Sequence, residues 1–277
     1  MKIRTFRIII HVPLLLALFG CATLSPGSEI MPSLRIVTPL LGGVTLVSYD
    51  QSAQPAFADL FAGNTALAGM APFFVVLHNS STKGIIVLTL RWTWIDTAGR
   101  LHVKIQWTDS LFLNHQPVAA AGATLLAAPS LLLPESMVRS GMVGFPSPQQ
   151  MQADTRTLES ASHVSVRVDT LVFDDGQLFG ADESNTVAEI QGRAAAAASL
   201  SSIVLTTIRK GGVTSKILDE AANKPQPHGD YLALWTSQIA LLFERVTDKE
   251  RFANTLANIP KIVFYRDPKL QTEGNPQ

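Results

Sequence analysis

Residues able to do chemistry are few and scattered. Ser80-Ser81-Thr82-Lys83 has S-x-x-K spacing. At the start of a helix, that spacing sets a lysine amine one turn from a serine hydroxyl and activates it as a nucleophile. Here the four residues lie between two apolar runs and read as a hairpin turn, which does not provide that geometry. Lys210-Gly211-Gly212 is only a loose match to the K-T-G element that accompanies such a serine, and no S-D-N equivalent is evident. His11, His78, His102, His115, His163 and His228 show neither H-E-x-x-H nor H-x-H spacing, and no G-x-S-x-G elbow accompanies them. Asp174, Asp175, Asp182 and Glu183 form an acidic cluster without the spacing of a calcium loop. An Asp-Gly turn and carboxylates near a helix N-terminus account for the same residues. No metal site and no cofactor is expected. Arg91, His102 and Lys104 project from one side of an expected hairpin, as a candidate ligand face or as a solvated face completed by an acidic residue on the next strand.

The elements that must position them begin with that hairpin. Ile86, Leu88, Leu90, Trp92 and Trp94 alternate with Thr89, Arg91 and Thr93. Leu101, Val103, Ile105 and Trp107 alternate with His102, Lys104, Gln106 and Thr108. Each run is a period-two strand pattern with one apolar side. A four-residue turn, Asp96-Thr97-Ala98-Gly99, pairs Ile95 with Arg100. It sets Trp92 opposite Val103 and Arg91 opposite Lys104, with every apolar residue on one face. The preceding run Phe73–Leu77 extends this to a three-stranded meander. Further strands are expected at Arg35–Val37, Val44–Tyr49 and Val164–Phe173, with Leu178-Phe179 returning after the turn at Asp174-Asp175-Gly176. Residues 109–160 give no regular pattern, although Met137–Val143 reads as one more strand.

After Gly180 the texture changes. Asp182 or Ser184 caps an Ala-rich helix that Gly211-Gly212 ends. Its Ile, Val and Thr-rich C-terminal part is also compatible with a strand. Asp230 opens a second helix, and Asp248–Asn258 forms a short third one.

At the N-terminus, Lys2, Arg4 and Arg7 precede an apolar run from Ile8 to Phe19, then Gly20-Cys21. A basic stretch, a short apolar stretch and a small residue form a secretory signal. The run is too short for a bilayer span, which needs about 20 apolar residues. Leu18-Phe19-Gly20-Cys21 resembles the lipobox of bacterial lipoproteins. That resemblance covers residues 1–21 and implies cleavage before Cys21, lipid attachment at Cys21 and acylation of the new amine. Phe19 departs from the small residue usual at that position. Ala22 after the cysteine resembles the outer-membrane default of diderm lipoproteins. Two or more acyl chains anchor stably, at about 0.8 kcal/mol per buried CH2. Cys21 is the only cysteine, so the body has no disulfide and no thiolate nucleophile.

Formal charge is balanced in the full chain, and loss of three basic residues with the signal leaves a mildly acidic body. This argues against a nucleic-acid partner. A charged fraction of 16% against 47% hydrophobic residues implies a substantial core.

The expected fold class is mainly β with C-terminal helices (α+β), an antiparallel β-sandwich followed by a helical segment. The strand pattern loosely resembles immunoglobulin-like domains of bacterial surface proteins, a likeness of architecture that confers no function. The expected organisation is a signal peptide at 1–20, a lipidated tether at 21–34, a β-sandwich domain at 35–180 and a helical C-terminal region at 181–277. The expected function is a non-enzymatic binding or structural module of the bacterial cell envelope. Its lipid anchors it in the membrane, and its C-terminal helices pack on the sandwich or contact a protein partner. In a diderm host it sits at the outer membrane. The alternative is a periplasmic or surface-exposed hydrolase with a site assembled from distant loops.

Overall fold

Strand β1 (Leu34–Ile36) is the first element in a computed structural model that describes residues 32–37, 40–61, 64–112, 116–139, 145–260 and 262–267. The signal, Cys21, nearly all of the tether and His115 lie outside the described residues. After β1 come β2 (Leu40–Leu41), β3 (Val44–Ser48), α1 (Ala58–Phe61), α2 (Thr65–Met70) and β4 (Val75–Asn79). The hairpin β5 (Ile85–Ile95) and β6 (Leu101–Asp109) follows, then β7 (Thr124–Ala128), β8 (Leu131–Pro134), α3 (Glu135–Arg139) and α4 (Pro148–Glu159). Strand β9 (His163–Phe173) and its return β10 (Leu178–Phe179) precede α5 (Thr186–Arg209), α6 (Ser215–Ala222), α7 (Tyr231–Arg245) and α8 (Lys249–Ala257).

These elements make an α+β fold with two sheets. The first has the order β1-β9-β5-β6, with β10 on β9; the second has the order β2-β3-β4-β7-β8. Among the strands of the described residues, β1 and β9 alone pair in parallel. Side-chain alternation explains the stacking. Leu88, Leu90 and Trp92 of β5 meet Leu46, Leu77 and Leu125 of the second sheet in one core cluster. The other side of the second sheet, with Val76, Leu126 and Leu133, packs on Phe57, Leu67, Met70, Met151 and Leu158. Strands β4 and β7 are thus buried on both faces and show no polar alternation. On the other side of the first sheet, Val87 and Val172 pack with Ile190 of α5. Helices α5–α8 share their own cluster around Leu200, Val204, Leu218, Phe243 and Leu256.

One buried ion pair fastens this helical layer to the sheet. Arg193 of α5 donates to Asp109 Oδ1 at 2.6 Å, both side chains 7% exposed. The guanidinium lies 5.1 Å from the Trp107 ring, 4.8 Å from Phe112 and 5.1 Å from Trp235, within reach of all three π faces.

The hairpin register is one residue away from the sequence expectation. Ile95 pairs with Leu101, so Trp92 faces Lys104, Leu90 faces Gln106, and Arg91 faces Ile105. The cause is the turn. Asp96 Oδ1 accepts the amides of Ala98 and Arg100, both at 2.9 Å, and the Asp96 amide donates to the Arg100 carbonyl. With Gly99 at φ +77°, this holds Arg100 inside the loop. Over its described part, the strand expected at Met137–Val143 is instead α3, with Glu135 in its first turn. Helix α5 is continuous through its Ile/Val-rich end. Asn185, at φ 56°, holds the cap position without a side-chain cap bond, while Asp182 Oδ1 accepts the Val187 amide in the first turn at 3.4 Å. Helix α6 has no counterpart in the sequence expectation.

Candidate functional site

Helix α5 covers only part of the first sheet. Its start is fixed by Thr186 Oγ1 against Thr89 Oγ1 at 2.9 Å. Farther along β5 the sheet face is open. Its outermost strand, β6, carries Leu101, Val103 and Ile105 there, 67%, 43% and 42% exposed. Register places Arg91 and Thr93 beside Ile105 and Val103, and Arg167 and Ser165 on the far side of them. A depression of about 210 Å³ is lined by Val37, Arg91, Thr93, Ser165, Val166 and Arg167.

Electrostatics within this face are organised by one loop. Glu183 Oε2 lies 3.3 Å from Arg91 Nη1 and also pairs with Arg167 Nη2. Arg167 is 3.6 Å from Asp169 Oδ1, a fully buried carboxylate. Asp169 in turn accepts the amides of Glu183 at 3.3 Å and Ser184 at 3.0 Å, which sets the loop in place. Gly180 lets the chain pass, since a Cβ there would collide with the Asp169 carbonyl oxygen.

The expected ligand face of Arg91, His102 and Lys104 is therefore divided. Arg91 belongs to the open face; His102 and Lys104 point to the opposite side of β6. The register shift moves them there. His102 Nε2 is 2.9 Å from Asp96 Oδ2, and its ring stacks on Trp94 at 5.5 Å. The His102 hydrogen bond, with help from the Arg100 amide, holds the Asp96 carboxyl well below the usual carboxylate range. Lys104 Nζ donates to Ser130 Oγ at 2.5 Å and lies 3.5 Å from Asp154, tying β6 to the β7–β8 turn and α4.

The S-x-x-K residues form a turn, as the spacing between strands predicts. Asn79, fully buried, donates to the Lys83 and Ala120 carbonyls and accepts from Ser81 Oγ at 2.6 Å. Lys83 Nζ pairs with Asp175 Oδ2 at 2.5 Å and donates to Gln177. The Asp175 hydrogen bond pushes the lysine pKa above its usual value, so the amine stays protonated and is no general base. Burial raises the Asp175 pKa, but the Lys83, Gln177 and Tyr265 hydrogen bonds outweigh it and the net shift is downward. Lys210 closes α5, and Gly211 takes the left-handed conformation beyond it.

The four acidic residues also separate. Asp174 accepts the Gly84 amide, Asp175 holds Lys83, Asp182 accepts from Thr170 and Glu183 joins the two arginines. Among the described residues no group of His, Cys, Asp and Glu could hold a metal ion. His78 lies 3.2 Å from Thr124 Oγ1, while His163 and His228 are exposed. Arg167 and Glu183 complete the site without having been singled out as partners of Arg91. The usable signal was Ser165-Val166-Arg167-Val168-Asp169, whose polar members alternate along one strand. No family model, curated protein or solved structure matches this chain.

Proposed function

We propose that this protein is a non-enzymatic binding module of the bacterial cell envelope. Its lipid at Cys21 holds it on the membrane, at the outer membrane in a diderm host. Its two sheets serve as an immunoglobulin-like scaffold over 35–180, and the helical region 181–277 braces one side. The open face of β6 and its outer edge, unpaired among the described residues, are its contact surface, and the partner is an extended polypeptide segment with apolar alternate residues.

The observation that carries this reading is the row Leu101, Val103 and Ile105 exposed on a terminal strand. A long, apolar edge strand with unpaired backbone groups is a template for another chain, and natural edges are usually blunted. An added strand would satisfy those groups and cover the row. Leu232 and Leu241 on α7 are also exposed and give the C-terminal helices a second, smaller contact. An S-x-x-K serine mechanism is disfavoured by Lys83, whose amine is committed to Asp175.

A photo-cross-linking residue at Val103, introduced into the full chain in its native envelope, tests this. Glu220 on α6 is the control position. An adduct of defined mass at 103 and none at 220 is expected. No adduct at 103 above the control would refute the contact surface.

A further inference from the structure

We propose that Arg91 and Arg167 form an oxyanion site for a phosphate group, with Glu183 as its built-in competitor. The two arginines occupy directly opposite positions on β5 and β9. Like charges so placed repel unless an anion lies between them. The protein's own carboxylate, Glu183, fills that role, so the chemistry of the ligand is already sketched by the residue that occupies its place.

Of the two acidic neighbours only Glu183 can leave. Asp169 is fully buried and engaged with two backbone amides. The Glu183 side chain is 47% exposed and, among the described residues, has only the two guanidinium partners. Arg91 and Arg167 both line the depression, and release of Glu183 would leave them without its carboxylate beside that space. Thr93 Oγ1 and Ser165 Oγ, 2.5 Å apart, line the same space, and either hydroxyl can turn its proton toward an incoming oxygen. Arg35 lies beside Ser165 in register, exposed and without an ion pair among the described residues. Three guanidiniums on one open face, against a single displaceable carboxylate, favour a group with more charge and more oxygens than a carboxylate has. Phosphate fits, and arginine forks bind it in bidentate geometry. The shared chemistry is a phosphate ester, free in solution or in a lipid headgroup.

This site goes beyond the strand-pairing surface and does not depend on it. The full chain in detergent is titrated calorimetrically with inorganic phosphate and, separately, with glycerophosphoglycerol, a soluble anionic headgroup. Saturable binding is expected. Glu183→Gln should tighten it several-fold, because the amide carries no competing charge. Arg91→Gln and Arg167→Gln should each weaken it about tenfold or more, the scale of one lost hydrogen bond to a charged group. Binding of phosphate alone assigns a soluble ligand, and binding of the diester assigns a lipid headgroup; both support the site. No saturable binding of either probe by the wild type and by Glu183→Gln would overturn it. So would unchanged affinity in both arginine variants with wild-type melting. The Val103 cross-link is read independently, so failure of one proposal leaves the other standing.

Discussion

Asp109→Ala should destabilise the protein far more than an ordinary polar substitution. The Asp109 carboxylate faces Arg193 at 2.6 Å and also accepts the Leu111 amide at 2.9 Å. Its removal leaves a guanidinium buried among Trp107, Phe112 and Trp235 with no anion. Breaking a buried pair on one side costs about 3–5 kcal/mol, because the surviving charge keeps its desolvation penalty. The three aromatic faces remain and offset part of that, so the loss should lie near about 3 kcal/mol. For a domain of this size roughly 2–4 °C is lost per kcal/mol, giving a Tm drop of about 6–12 °C. Asp109→Leu combined with Arg193→Met removes both charges and should recover most of the loss, since apolar replacement of a buried pair is often near neutral. Thermal melts followed by near-ultraviolet circular dichroism, which reports the tryptophans, would measure all three proteins. The reasoning fails if Asp109→Ala melts within about 1 °C of the wild type, or if the double variant is no more stable than the single one.

Trp92→Ala should cost about 3–5 kcal/mol by urea unfolding, since the ring is fully buried, whereas Leu101→Ser on the open face should stay within about 0.5 kcal/mol. Equal costs would return the hairpin to the register in which Leu101 faces the core. The Lys83–Asp175 clasp makes a two-sided pH prediction. Asp175 titrates below its ordinary 3.8, so its contribution holds above that pH and is lost as pH falls through the lowered value. Lys83 titrates above its ordinary 10.5, so its contribution holds below that pH and is lost as pH rises through the raised value. Asp175→Asn should flatten both limbs of the stability profile; a profile identical to the wild type would contradict the clasp. Labelled fatty acid should enter the wild-type chain and not Cys21→Ser, and a wild type released without lipid would remove the anchor.

The hairpin was legible in the sequence because period-two alternation in 86–94 and 101–107 is strong. Its register was not. Pairing by apolar content assumes that every apolar residue seeks one core. Leu101, Val103 and Ile105 lie on the part of a terminal strand that no helix of the described residues covers, so burial did not select their side. The turn decided instead, through Asp96 and its two amide partners, one of them beyond a four-residue loop. Strands β7 and β8 escaped notice for a different reason. Leu125 to Ala128 are buried on both faces, which erases the polar alternation that marks a strand. The helix caps at Asp230 and Asp248 read directly, each side chain accepting an amide three residues on. Of the three residues named for the candidate face, Arg91 is separated from His102 and Lys104, which lie on the other side of β6. The partners of Arg91, Arg167 and Glu183, are distant in sequence and meet it only through sheet order and the loop that Asp169 holds.

Amide hydrogen exchange across 101–109 tests the central claim most directly. The full chain is compared in detergent and in the membranes from which it is recovered. The account predicts that the outward-facing amides of β6 exchange freely in detergent and gain strong protection in those membranes, while 215–222 in α6 exchanges alike in both. Equal exchange of β6 in the two preparations, with the protein intact and anchored, would contradict it.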